Sequence, residues 1–247
     1  MGLPVPVARF VVESLPSAGV SCVLGREKAA HARARRLAAG DAVVLVDGSG
    51  AEASGRVASL ARDRVTISIE SVSRVPPEEV PPVHLCVAAV RPERLSWIAE
   101  KATELGASSL LLVVSERTQR PRAGTGLVPR LRRVVEEAAE QSESARWPRI
   151  DGPVAYASAL SRFEECQRFL LDPRGEPLPA GLALRDTALL IGPEGGWSDT
   201  EHAAAIAAGW VAASLASGKL RAETAAVAGL ALVRSALARS ALERRSH

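Results

Sequence analysis

The sequence predicts an α/β protein preceded by a small β-rich domain, and three observations carry that prediction. From Val83 onward, apolar runs of strand length alternate with helix-length segments, the pattern of a parallel sheet with crossover helices. Before that point, short strand-like runs and turn residues follow one another closely, which suits a small barrel. Between the two lies Arg74-Val75-Pro76-Pro77-Glu78-Glu79-Val80-Pro81-Pro82, and its four prolines in nine residues fit neither a helix nor a central strand. This linker is extended and fairly stiff. The expected organisation is residues 1–73, a spacer at 74–82, and residues 83–247.

In the first domain Arg9 to Val12 and Ala42 to Val46 read as strands. Asp47-Gly48-Ser49-Gly50 is a strong turn signal. Arg64 to Glu70 alternates polar and apolar residues, the mark of a half-buried strand. One helix, Glu27 to Ala39, is expected to end at Gly40 and to carry Lys28, His31, Arg33, Arg35 and Arg36. His31 reads as a surface histidine without a catalytic role.

In the second part Val83 to Val90 is a buried strand, and Pro92 starts a helix with Leu95, Ile98, Ala99, Ala102 and Leu105 on one face. Gly106 closes that helix, and Ser109 to Val114 is the next strand, completing a βαβ unit. Helices follow at Pro129 to Gln141 and Ser158 to Cys166. A strand at Arg168 to Leu171 is expected to stop at Asp172-Pro173. The Thr187 strand, the Ser198 helix, a Trp210 to Leu215 strand and a final helix from Ala222 to Leu242 complete the order. That last helix is apolar nearly all round and is expected to be buried on most sides.

The stretch richest in chemistry runs from Thr187 to Glu201. Thr187 to Ile191 is an apolar strand, Gly192-Pro193-Glu194-Gly195-Gly196 is a tight loop at its carboxyl end, and Ser198-Asp199-Thr200-Glu201 is a capping box opening a helix. Open α/β sheets bind ligands at such places, and glycines let a backbone approach a ligand closely. The dinucleotide fingerprint G-x-G-x-x-G is absent. Ser217-Gly218-Lys219 is no P-loop, because Leu220 stands where a magnesium-binding hydroxyl belongs.

The 247 residues are 47% apolar, so a sizeable core is available, with Ala, Val and Leu supplying most of the packing. Lys and Arg number 31 against 28 Asp and Glu, a net charge of +3 that permits an RNA partner without proving one. Cys22, Cys86 and Cys166 are widely spaced and form no CxxC or Cys/His zinc pattern. They read as buried small hydrophobes in a reducing cytoplasm, with neither disulfide nor structural metal expected. No signal-peptide pattern is present, and no apolar run is expected to reach the roughly 18 residues needed to span a bilayer.

A second motif, Leu215-Ala216-Ser217-Gly218-Lys219-Leu220-Arg221-Ala222-Glu223-Thr224-Ala225, follows the glycine loop. Gly-Pro-Glu-Gly-Gly followed at this distance by Leu-Arg-x-Glu-Thr-Ala resembles the SPOUT class of S-adenosylmethionine-dependent RNA methyltransferases. The match looks closest to the family that methylates N3 of a uridine in 16S (small-subunit) ribosomal RNA. Lys101-Ala102-Thr103-Glu104-Leu105-Gly106, Ser115-Glu116-Arg117 and Glu140-Gln141-Ser142 extend it over essentially the whole chain. Lys101 and Glu104 also fit a simple helix-surface ion pair.

The resemblance implies an α/β SPOUT domain with a C-terminal trefoil knot, a PUA-like or OB-like barrel that grips RNA, and a homodimer formed through the knotted domain. It implies a cofactor site made of Leu171, Ile191, Gly192, Pro193, Glu194, Gly195, Gly196, Leu215, Ala216, Ser217, Gly218, Leu220, Thr224 and Ala225, with Asp172 and Pro173 beside Leu171 as a further wall. It places Arg9, Arg33, Arg36, Arg117, Gln141 and Arg146 towards RNA. Departures stand at Arg35, at Glu143-Ser144, and at Ala216, Lys219 and Ala222, where the family shows other residues.

Methyl transfer from a sulfonium needs no metal, and the enzyme chiefly positions donor and acceptor. Uracil N3 carries a proton, so a general base is expected. N3 also lies on the pairing edge, so the target must be unpaired or extruded. Glu223 is the candidate proton acceptor, and Arg221 the candidate partner for the developing uracil anion. Glu223 serves equally as a helix-start carboxylate. Other readings stay open: a SPOUT enzyme acting on tRNA or on 23S rRNA at a ribose hydroxyl, a silent RNA-binding module, and an NAD enzyme, which the missing fingerprint disfavours.

Overall fold

The computed structural model describes residues 8–76, 79–118, 126–216 and 218–245. The chain divides into two compact units. The first runs to Pro77 and also takes in Ala139–Arg146; the second comprises Glu78–Ala138 and Trp147–His247.

In the first unit the elements are β1 (Ala8–Val11), β2 (Ser21–Leu24), α1 (Arg26–Ala34), β3 (Ala42–Val46), β4 (Ala51–Leu60) and β5 (Val65–Arg74). They form one sheet in the order β1-β3-β4-β5-β2, antiparallel except for the parallel pair β1 and β3. Two register shifts bend the β4–β5 ladder, at Ser54/Gly55 and Val57/Ser59. The sheet wraps one core of Phe10, Val43, Leu45, Ala53, Val65, Ile67 and Ile69, which the buried Ala32 of α1 joins. β2 and β4 escape a pattern reading. Ser-Cys-Val-Leu is short, and Gly55 interrupts the alternation of β4. A Cβ at Gly55 would lie 2.3 Å from Ser68 O, so glycine permits the strand approach there.

α1 ends at Ala34, five residues before the expected end. Leu37 N donates to Ala32 O, and Arg36 sits in the left-handed region at φ 58°, so the chain turns out of the helix before Gly40. Residues 139–146 enter this unit through Glu140. Its Oε1 accepts from Val11 N (2.9 Å) and from Lys28 Nζ (2.7 Å), and His31 Nδ1 lies 3.7 Å from Oε2. His31 meets the edge of Phe10, so it packs more than a free surface histidine does.

In the second unit the elements are β6 (Val83–Ala88), α2 (Pro92–Glu104), β7 (Ser109–Val114), α3 (Leu127–Gln141, whose last turn belongs to the first unit), β8 (Arg149–Ala155), α4 (Tyr156–Leu160), β9 (Gln167–Pro177), β10 (Thr187–Ile191), α5 (Asp199–Ala207), β11 (Val211–Ser214) and α6 (Ala222–Arg245). All six strands are parallel, in the order β11-β9-β10-β6-β7-β8. Period-two alternation divides each strand between two cores. Val83, Leu85, Val87, Leu189 and Ile191 join the core under α2, α3 and α6. Cys86, Ala88, Ala188 and Leu190 join the opposite core, with α4 residues Ala159 and Leu160, Ala205 of α5, and Trp197 and Trp210.

Several expectations are corrected here. β8 escaped the sequence reading because Asp151, Gly152 and Pro153 break its apolar pattern. The helix expected at Ser158 to Cys166 is the shorter α4. β9 does not stop at Asp172-Pro173 but runs on to Pro177. Pairing with β11 jumps from Leu170↔Ala212 to Glu176↔Ala213, so Leu171 to Gly175 bulge out of the ladder. α6 buries a stripe of Ala222, Ala226, Gly229, Leu230, Val233, Ala236 and Leu237, while Leu232 and Leu242 are exposed. Much of its apolar character is alanine, which presents too little area to require burial all round. α6 is also long and apolar enough to cross a membrane by length and composition, although Glu223, Arg234 and Arg239 interrupt its apolar residues. Its stripe nevertheless lies in the core under β6 and β10. Cys86 and Cys166 are buried as expected, but Cys22 is only partly so.

Candidate functional site

A cavity of about 330 Å³ opens where β9, β10 and β11 end. Three segments build it. The glycine loop Gly192 to Gly196 leaves β10, the bulge Leu171 to Arg174 of β9 leaves the ladder with β11, and the end of β11 (Ala213, Ser214) is followed by Leu215, Ala216 and Gly218 to Leu220. Ala222 and Ala225 of α6, Trp197, Asp199 and Arg117 complete the lining. The carboxyl edge of a parallel sheet is where strand ends diverge and backbone groups remain free for a ligand.

The loop is pinned from several sides. Gly196 adopts φ 69°, the left-handed region. A Cβ on Gly192 would press on the Trp197 indole at 3.1 Å. Arg117 Nη1 donates to Gly195 O at 2.8 Å. The capping box forms as expected: Ser198 Oγ accepts from Glu201 N (3.1 Å) and Glu201 Oε2 accepts from Ser198 N (3.0 Å). Glu201 Oε1 also accepts from Glu116 N (2.7 Å), which ties the segment after β7 to the start of α5.

The wall is polar on one side. Asp172 is buried, and its oxygens accept from Arg174 N (2.9 Å), Nε (3.1 Å) and Nη2 (2.8 Å). Burial favours the protonated Asp172, but the Arg174 hydrogen bonds outweigh it and hold the carboxyl below its usual value, with Arg174 and His202 charge adding to that. Arg174 Nη1 also donates to Asp199 Oδ1 at 2.8 Å, and its pKa is raised by the two carboxylates. The other side is apolar, from Leu171, Ile191, Leu215, Leu220 and Ala225. A slot with an apolar wall, glycine backbone and a few fixed charges suits a nucleoside-like ligand carrying both charge and hydroxyls.

Of the expected cofactor residues, all the described ones but Thr224 line this cavity. Thr224 points outward on the first turn of α6 and is exposed. Ser217 lies outside the described residues. Arg174, Trp197, Asp199, Ala213, Ser214 and Ala222 line it without having been singled out as binders. The β9 bulge brings in Arg174, and no sequence period announces it.

Glu223 and Arg221 stand beside the cavity at the start of α6. Glu223 is partly buried, and its Oε2 has no hydrogen-bond partner among the described residues. Arg221 is exposed. Among the described residues the cation paired with Glu223 is instead Arg94 on the first turn of α2, with Nη1 3.7 Å from Glu223 Oε2 and 2.5 Å from Glu194 Oε1. The sequence reading missed Arg94. Its position just beyond the carboxyl end of β6 was the available signal.

The six residues expected to face RNA are differently occupied. Arg117 lines the cavity. Arg9 pairs with Glu52 at 2.6 Å. Arg33 donates to Ala61 O and Arg62 O. Arg146 donates to Val75 O and Pro76 O. Arg36 and Gln141 are exposed. Lys101 Nζ pairs with both Glu104 and Glu100 at 2.7 Å, the helix-surface pair allowed above.

A family model for an RNA methyltransferase domain matches residues 77–234, and one for an RNA methyltransferase PUA domain matches residues 24–70. The chain therefore belongs to a class of RNA methyltransferases that carry a PUA domain. It is 33% identical over 242 residues to the ribosomal RNA small subunit methyltransferase E of Mycobacterium bovis, covering 91% of this chain and 90% of that one. It is 32% identical over 214 residues to the protein of that name from Synechocystis, covering 83% and 69%. The crystal structure of a ribosomal RNA small subunit methyltransferase E from Neisseria gonorrhoeae bound to S-adenosyl methionine superposes with a TM-score of 0.84 at 26% identity, covering 91% of this chain and 95% of that one. The chain is a member of the ribosomal RNA small subunit methyltransferase E family, as its motifs indicate.

Proposed function

We propose that this protein transfers the methyl group of S-adenosylmethionine to N3 of a uridine in 16S ribosomal RNA. The observation that carries the reading is the cavity at the carboxyl edge of β9, β10 and β11, lined by the glycine loop and the post-β11 segment. The N. gonorrhoeae relative was solved with S-adenosyl methionine bound, and the M. bovis relative is named for ribosomal RNA of the small subunit.

The residues fit such a cofactor. Leu171, Ile191, Leu215 and Leu220 offer an apolar slot for a purine, while Asp172 and the glycine backbone offer partners for hydroxyl and amino groups. The cofactor, when bound, supplies an electrophilic methyl group. The chain's own residues then position the base and move one proton. Glu223, whose Oε2 accepts no hydrogen bond among the described residues, takes the proton from N3 as the N3–methyl bond forms. Arg221, exposed beside it, offsets negative charge on the uracil oxygens. Arg36 and Gln141 on the first unit contact RNA, and the engaged arginines Arg9, Arg33 and Arg146 do so only after exchanging partners.

The same reading includes a trefoil knot formed by the post-β11 segment and α6, a homodimer through that knotted domain, the small ribosomal subunit as partner, and a cytoplasmic location. It takes residues 1–73, with Ala139–Arg146 of the first unit, as the RNA-gripping part and the rest of 83–247 as the catalytic one. The exposed Leu232 and Leu242 of α6 support a partner subunit on that helix.

The test is incubation of the protein with labelled S-adenosylmethionine and unmodified small subunits or their 16S RNA, followed by mass analysis of nucleosides. N3-methyluridine is the expected product. A ribose-methylated nucleoside, or no label in RNA, overturns the proposal.

A further inference from the structure

The opposite edge of the parallel sheet carries a second constellation. Register places Gln167 of β9, Thr187 of β10 and Val83 of β6 in one row across three adjacent strands. Cys166 and Asp186 immediately precede that row, and His84 immediately follows it. By the two-residue alternation all three share the face that carries Cys86, Ala188 and Leu170, away from α2 and α6. Their donor atoms converge, with one His nitrogen, the Cys sulfur and one carboxylate oxygen all within 4.8 Å of one another.

Two contacts fix the imidazole. His84 Nδ1 is hydrogen-bonded to Ser109 Oγ at 2.9 Å, and the ring stacks on Phe163 at 4.9 Å. Nε2 is thereby aimed at Asp186 Oδ2 across 3.9 Å, too far for a hydrogen bond. A ligating histidine fixed through its other ring nitrogen is the usual outer-shell arrangement at metal sites. Nearby cations are engaged elsewhere: Arg185 Nη2 donates to Glu165 O, Arg149 pairs with Asp151, and Arg168 lies over the Trp210 ring.

We propose that His84, Cys166 and Asp186 form a zinc-type cation site joining the starts of β6, β9 and β10. One imidazole, one sulfur and one carboxylate are a donor set that favours zinc, with water in the fourth position. Zinc bonds of roughly 2.0–2.3 Å require donors now up to 4.8 Å apart to close by about 1 Å. Asp186 can rotate to allow it, since half its side chain is exposed. Binding releases the thiol proton to solvent as the sulfur–metal bond forms. Methyl transfer needs no metal, so the ion would serve outside that reaction, linking three strand starts. The spacing of the three residues in sequence, 82 and 20 positions apart (166 − 84 and 186 − 166), hides it from any motif.

The test uses the full chain, stripped with a chelator and titrated with Co²⁺ and then with Zn²⁺. The expected result is one equivalent of cobalt giving thiolate-to-cobalt charge-transfer absorption, displaced by zinc, with zinc raising Tm. Cys166→Ser should abolish the absorption. Asp186→Asn, at a half-exposed position that tolerates the change, should lose the zinc-induced rise in Tm. Ser109→Ala should weaken binding by about 10–100-fold. Absence of charge-transfer absorption in the parent overturns the site. So does absorption that survives Cys166→Ser, or a zinc response unchanged in Asp186→Asn.

Discussion

Arg94 and Glu194 form a close ion pair, Nη1 to Oε1 at 2.5 Å, linking the first turn of α2 to the glycine loop. The same nitrogen lies 3.7 Å from Glu223 Oε2 at the start of α6. One guanidinium therefore ties two carboxylates, one over the cavity and one proposed to take the proton.

If Glu223 takes the proton, Glu223→Gln removes the acceptor and leaves the shape. Turnover should fall by about 10²–10⁴-fold while S-adenosylmethionine binding is retained. Single-turnover kinetics beside a cofactor titration check this. Unchanged turnover would leave Glu223 as a helix-start residue.

Arg94→Met should separate the loop from Glu223. The expected effect is lower kcat with a smaller change in the cofactor Kd, and Arg94→Lys should recover part of it because a cation returns without the guanidinium fork. Equal losses in both parameters for both variants would show that Arg94 only supports the fold.

Asp172 links stability to pH. Its folded-state pKa lies below the unfolded value of about 3.9, so the stabilisation is present above that value and is lost as pH falls through the folded one. Asp172→Asn should cost about 1.5–3 kcal/mol near neutral pH, where charged hydrogen bonds from Arg174 are weakened. The parent should lose Tm more steeply than the variant as pH drops below about 4. Thermal melts across pH measure this directly.

Gly175 sits where the β9 bulge passes β11, and a Cβ there would lie 2.4 Å from Ala212 C. Backbone cannot yield as a side-chain tip can. Gly175→Ala should destabilise by about 1–3 kcal/mol and distort the Asp172 wall, read as a lower Tm with weaker cofactor binding.

Much of this was legible in the residues. The βαβ alternation, the capping box at Ser198 and the glycine loop follow from local chemistry, which the chain states position by position. What stayed hidden is what distant strands do to one another. The β9 bulge arises from a register jump against β11, so Asp172-Pro173 looked like a strand end and Arg174 went unnoticed. Arg94 reaches Glu223 across 129 residues (223 − 94), and neither residue signals the other in sequence. The arginines read as RNA contacts were placed by their positions in the resembling motifs. Whether a guanidinium is free or tied, as Arg146 is to Val75 and Pro76, depends on the folded chain.

The central claim is that the glycine-loop cavity holds S-adenosylmethionine, and calorimetric titration of the cofactor into parent and Gly195→Val tests it most directly. Gly195 has no positive φ, and its Cβ would meet Arg117 Cδ at an ordinary 3.4 Å, so the variant should fold with a Tm near the parent's. The branched side chain is then added against Arg117, which lines the cavity together with Gly195. Binding by the parent and its loss in a folded variant is the predicted result. No binding by the parent, or equal binding by both, would contradict the account.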